Sequence, residues 1–301
     1  LEYIDANGQN IDAEAIAYRR VFAGSALSRS VDGSLENLDR FSKRDLRGHH
    51  GQLARGSNIV VVVAGPVSFP DIKRLAVRTF GHLPSGSLAL LGTAPSGTNP
   101  AHLAVRTETS QTEFRLSFAT AGVEDPSVGA LWALGRVLSD GPRSRLYSKL
   151  IEEQGLAYDL WAAPQIFSGR GVVDIGGRVA HDSVGEIIEA VCRQLFRLRS
   201  RVVGNTELSG MLQRARRLLW DTHDDSAAAA EWFMRHHLLG SPTPQTWYRQ
   251  LSQVDRAMVK RMAQTTFSAN NAALVLVGKP SKEQQQRAWR AVIALGSGHP
   301  G

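Results

Sequence analysis

The chain has 301 residues, 43% of them apolar and 21% charged, which is the mix of an ordinary globular protein and excludes wholesale disorder and collagen-like or low-complexity composition. Its net charge of +7 rests on 29 Arg against six Lys, which admits an acidic partner without requiring one. The single Cys192 excludes an internal disulfide and a Cys-built zinc cluster, and no run reaches the roughly 18 apolar residues of a membrane-spanning helix.

The sequence opens Leu1-Glu2-Tyr3, with neither a basic n-region nor an apolar h-region, so no targeting signal is readable. Ser42 is placed to cap a helix that carries Leu46, because a short side-chain oxygen satisfies an orphan backbone N–H. After a polar turn, Ile59–Ala64 is a continuous β-rich run that ends at Gly65 and predicts a strand buried on both faces, or an interior strand of a covered sheet. Ser68-Phe69-Pro70-Asp71 starts another helix, with Ile72, Leu75, Ala76, Thr79 and Phe80 on one face. The Pro/Gly/Ser-rich stretch 84–100 has the composition of a linker.

Beyond it, Glu113–Thr120 predicts a strand and Pro126–Leu138 an apolar helix. A short helix is expected over Ser144–Glu153, and a hairpin over Leu156–Ile166 and Gly171–Val179. A helix over Ser183–Leu198 turns Ile187, Ile188, Val191, Leu195 and Leu198 inward, and further helices fill Thr206–Leu239. Cys192, set between Val191 and Leu195, reads as a buried structural thiol. The densest basic runs, Arg193, Arg197, Arg199 and Arg201, then Arg214, Arg216 and Arg217, alternate with apolar residues and read as solvated helix faces. Asp255 caps a helix carrying Val259 and Met262, Ala272–Val277 repeats the apolar strand, and a last helix runs from Lys282 to Leu295.

The end of the chain thus repeats its beginning. At an offset of 213 positions, Leu38 meets Leu251, Ser42 meets Asp255, Leu46 meets Val259, Val61-Val62-Val63 meets Leu274-Val275-Leu276, and Gly65 meets Gly278, with no gap. Two related modules follow: residues 1–95 close the first, 84–100 link, and 101–301 form the second, each an α+β unit with helices against a mostly antiparallel sheet. Because nothing in the first module matches 101–211, the repeat predicts that the first copy is truncated and that about 110 further residues precede Leu1.

Gly141-Pro142-Arg143-Ser144-Arg145-Leu146-Tyr147, followed by Glu153-Gln154-Gly155-Leu156-Ala157-Tyr158, resembles the C-terminal module of the pitrilysin/insulinase-type zinc peptidases. That family includes the mitochondrial processing peptidases and many bacterial zinc proteases. Leu27–Gly33 resembles the loop after its metal-site helices, and Asn58–Gly65 with Phe80-Gly81-His82-Leu83-Pro84 resembles the end of its first module.

The resemblance implies a zinc site built on H-x-x-E-H, two His one turn apart with a Glu that polarises a metal-bound water. This sequence contains neither H-x-x-E-H nor H-E-x-x-H. The pairs His49-His50 and His236-His237 are adjacent, so on a helix they point about 100° apart and read as surface residues. His223-Asp224-Asp225 diverge in the same way and read as a polar helix face. By the resemblance, Glu2, 31 residues before Gly33, is the candidate third zinc ligand, with both His ligands outside the sequence. Tyr158 is the candidate substrate contact, one half of an Arg/Tyr pair that holds the scissile carbonyl. The Arg expected seven positions earlier is Ile151 here, and the spacing of Arg143 and Arg145 does not replace it. Tyr147 and Trp161 read as core or interface aromatics.

The expected function is therefore part of a zinc-dependent metalloendopeptidase acting on peptides or unfolded segments. Its second module contributes substrate binding, and this chain alone is inactive. The alternative is a non-catalytic or complementary subunit, homo- or heterodimeric with a second family member. A nucleic-acid-binding reading rests only on the Arg excess and predicts steep salt dependence.

Overall fold

The computed structural model describes residues 11–31, 33–86, 100–155, 157 and 159–297. Contacts divide the chain into two compact units, one comprising 1–29, 93–216 and 247–301, the other 30–92 and 217–246.

The first unit holds a five-stranded sheet in the order β1-β5-β2-β4-β3. Its strands are β1 (Ala101–Arg106), β2 (Thr112–Ala121), β3 (Leu160–Ile166), β4 (Arg170–Val179) and β5 (Ala272–Gly278). β1 runs parallel to β5 and every other pairing is antiparallel. β5 is buried along its whole length, as its uninterrupted apolar run predicts. On one face, Phe114, Leu116 and Phe118 of β2 align with Val173 and Ile175 of β4. That face is covered by α5 (Val128–Ser139), α6 (Val184–Ser200), α10 (Arg256–Thr266) and α11 (Lys282–Ser297).

The other face receives α1 (Ala13–Val21), capped by the Asp12 carboxylate and missed in the sequence. Its small residues Ala13 and Ala17, with Ile16, settle on Val275 and Val277, while Val21 and Phe22 pack on Val172 and Ala273. β1 was likewise unread, and both gain their order from tertiary contacts rather than local pattern. β3 is an outer strand that contains Pro164, tolerated there because an edge position does not require its missing N–H. Gly135 of α5 lies against that ring: a Cβ would come within 2.6 Å of the proline Cδ, so glycine lets the helix approach the strand.

The predicted hairpin, the strand at Glu113–Thr120 and the helix over Ser183–Leu198 all form. The helix expected over Ser144–Glu153 forms instead as a π-helical turn, Tyr147–Glu152, so it winds more widely than the period of the pattern suggests.

The second unit contains α2 (Leu35–Arg40), α3 (Lys43–Leu53), α4 (Phe69–Phe80), the end of α7 (Asn205–Asp224), α8 (Ser226–Leu239) and the start of α9 (Pro244–Ser252). The internal repeat holds at its original offset: α3 matches α10, Ser42 and Asp255 both cap, and α4 and α11 both begin in register. Gly65 and Gly278 share a positive φ, 138° and 149°. The repeat also extends further back than the sequence revealed, with Asp12 and Asp225 capping α1 and α8.

Two expectations fail in this unit. Ile59–Ala64 is extended but has no ladder partner among the described residues and is half-buried or exposed, not a doubly buried strand. In the other copy β5 owes its place to β1 and β2, which pair with it on either side. For α4, the face drawn inward is largely in solvent, with Leu75 and Phe80 exposed.

Candidate functional site

The segment that carries the resemblance runs from Gly141, at φ 80°, through the π-helical turn to the start of β3. Ser144, Leu146 and Leu150 are buried and anchor it. Ile151 sits half-buried on the turn, with no hydrogen-bonding group to offer a substrate. Tyr158 lies outside the described residues, as does Glu2. Ala157 beside Tyr158 is buried, and β3 begins two residues after the tyrosine.

Arg145 cannot stand in for the missing arginine, because Nε and Nη2 donate to the two carboxylate oxygens of Glu207 at 2.7 and 3.0 Å. Arg143 is exposed. Tyr147 is exposed rather than in the core. Trp161 lies flat across Gly176, where a Cβ would come within 2.7 Å of the indole, and carries the Arg115 guanidinium 5.0 Å from its ring centroid.

Arg115 centres a polar cluster on the α1 face of the sheet that sequence reasoning missed. It projects from β2, and its Nη2 donates to Asp174 of β4 at 2.9 Å and to Glu14 of α1 at 2.8 Å. Asp174 is fully buried and also accepts from the Tyr18 hydroxyl, at 2.9 Å, and from Ser117. Burial opposes the charge on Arg115, but the hydrogen bond and charge of Asp174 outweigh it and hold the guanidinium protonated. Burial, with Asp174 and Glu14 nearby, drives the Tyr18 phenol far above its ordinary value, so it acts only as a donor. The cluster contains no nucleophile and no poised base. It pins α1 to the sheet. Its signal was available: Arg115 and Asp174 interrupt otherwise apolar strands, and buried charges of opposite sign pair.

Among the described residues no group of three His, Cys, Asp or Glu is arranged to hold a metal ion, so they do not fit a zinc centre. His49, His50, His236 and His237 are exposed on α3 and α8, and His236 Nδ1 lies 2.6 Å from the Ser241 carbonyl. Cys192 is buried and its thiol is pushed up to about 12 by that burial, which makes it a packing residue. No helix among the described residues is long and apolar enough to cross a membrane.

Comparison with known proteins places this arrangement. An uncharacterized zinc protease of Mycobacterium leprae is 25% identical over 179 residues, 58% of this chain and 40% of its own length. One of Mycobacterium tuberculosis H37Rv is 23% identical over 279 residues, 91% of this chain and 64% of its own. The chain therefore spans less than two thirds of the length of these relatives. A solved protease from Helicobacter pylori superimposes with a TM-score of 0.78 at 15% identity over 89% of this chain and 67% of its own, a likeness of fold. Residues 40–213 match the family described as the peptidase M16 inactive domain, more than half the sequence, and the chain belongs to that family.

Proposed function

We propose that this chain is the substrate-holding part of a zinc-dependent M16 metalloendopeptidase acting on peptides or unfolded segments, and that alone it does not cleave. The observation that carries the reading is the coincidence of an M16 inactive-domain match with a set of described residues that assembles no metal site. In this reading residues 1–95 close a metal-bearing module and 101–301 form the clamp. Tyr158 touches substrate, and Glu2 is the third ligand of a metal whose two His come from outside this sequence. The zinc protease names of the relatives support zinc in the intact protein.

A second reading is favoured by one residue. Ile151, where the resemblance calls for Arg, suits a complementary subunit that leaves the grip on substrate to a partner chain of the same family.

Anisotropy of a labelled unstructured peptide, with and without zinc, tests the first reading. The chain should bind the peptide, and Tyr158→Phe should weaken binding several-fold, the size of one lost hydrogen bond. Unchanged binding in that variant removes the clamp role, and chelator-sensitive cleavage by the wild-type chain removes the proposed inactivity. Cleavage that appears only on mixing with a family member that carries the Arg/Tyr pair supports the second reading.

A further inference from the structure

The arginines that the sequence presents as solvated helix faces do not all disperse. Arg143, Arg145, Lys149, Arg197, Arg201 and Arg214 converge, from the π-helical segment, α6 and α7, on one cleft of about 520 Å³. Three of the six are committed: Arg145 to Glu207, Lys149 to Glu153 and Arg214 to Asp140. Among the described residues Arg143, Arg197 and Arg201 form no ion pair, so three guanidiniums face one concavity without a carboxylate partner.

A second observation is independent of charge. Gln194 is a largely buried residue that reaches the cleft wall, and among the described residues no hydrogen bond occupies its amide. Ser148 and Thr206 add hydroxyls to the same wall.

We infer that this cleft binds a small molecule bearing two or more phosphate groups. Its volume lies within the roughly 300–1,000 Å³ of small-molecule sites. The guanidinium fork matches phosphate oxygens two at a time, and the amide and hydroxyls supply neutral donors between the charges. The wall argues against larger anions: among the described residues it has no aromatic ring on which a nucleobase would stack. Among the described residues Val202 is its one apolar side chain, so it offers little to the other residues of an acidic peptide. This site goes beyond the peptidase reading and stands or falls apart from it.

Calorimetry of the 301-residue chain with inorganic triphosphate tests the assignment. One site is expected, weakened at least tenfold in Arg197→Ala/Arg201→Ala, and loosened as salt rises from about 50 to about 200 mM because exposed charges are then screened. Gln194→Leu should weaken binding about three- to tenfold with an unchanged melting midpoint. Arg19→Ala/Arg20→Ala, two exposed arginines on α1, should leave it as it is. Three results overturn the proposal: no heat at millimolar triphosphate, equal weakening by the α1 pair, or an Asp-rich decapeptide that outcompetes triphosphate for the same arginines.

Discussion

The two copies of the repeat share their punctuation and differ in their surroundings. Ser42 and Asp255 cap the same helix, and Gly65 and Gly278 turn the same corner. Leu46 is 59% exposed whereas Val259 is fully buried; Val63 is 46% exposed whereas Leu276 is fully buried. Caps, helix lengths and positive-φ glycines depend on residues within a turn of one another, so a repeated local sequence reproduces them. A strand depends on neighbours far away in the chain: β5 has β1 and β2, whereas Ile59–Ala64 has no partner among the described residues.

The largest expected effect breaks the comparison at a feature that only the sheet-bearing copy possesses. Asp174→Ala leaves Arg115 buried beside the half-exposed Glu14 alone and should cost about 3–5 kcal/mol, whereas Arg115→Met combined with Asp174→Leu should cost far less. Urea denaturation of the three proteins checks this, and equal losses in single and double variants would refute the lock between α1 and the sheet.

Next come the register mates Leu276 and Val63. Leu276→Ala should cost about 2–5 kcal/mol through lost transfer energy and a cavity, and Val63→Ala within about 0.5 kcal/mol, as for a surface site. Similar losses would show that both copies have the same cover.

The paired glycines sharpen the contrast, because their backbone is alike and their neighbours are not. Gly65→Ala meets no atom within 4 Å and should cost only the backbone strain, about 1–3 kcal/mol. Gly278→Ala meets Thr112 Oγ1 at 2.8 Å and Cα at 2.9 Å, so a larger shift of the thermal midpoint is expected.

The smallest effect is a titration. Hydrogen bonds from the Ser42 hydroxyl and backbone N–H hold the Asp45 carboxyl below the usual carboxylate range. A depressed folded value means that the capping support is present above the unfolded value of about 3.9 and fades as the pH falls through the folded one. A carboxyl NMR titration should place Asp45 below that reference, and Ser42→Ala should raise it part of the way back, because the backbone N–H bond to the carboxylate remains.

Legibility in the sequence followed the same division. The helix over Ser183–Leu198, the hairpin and the α+β class were readable because their periodicity is local and strong. α1 was not: Ala13–Val21 has a weak amphipathic pattern, and its place depends on Glu14 and Tyr18 finding Arg115 and Asp174, which lie a hundred or more residues away. The strand predicted over Ile59–Ala64 followed a correct reading of residue type, but type alone supplies no partner. Of the candidate site, the motif around Gly141–Tyr147 was visible as spacing. The convergence of Arg143 with Arg197 and Arg201 was not, since it joins two distant segments by packing alone.

Pro164 bears on how the molecule behaves at high concentration. An outer strand with a full row of free N–H groups invites molecules to zip together side by side into aggregates. A proline in the middle of β3 interrupts that row, so a strand from a neighbouring molecule finds no continuous template along this border and fibrous growth from it is discouraged.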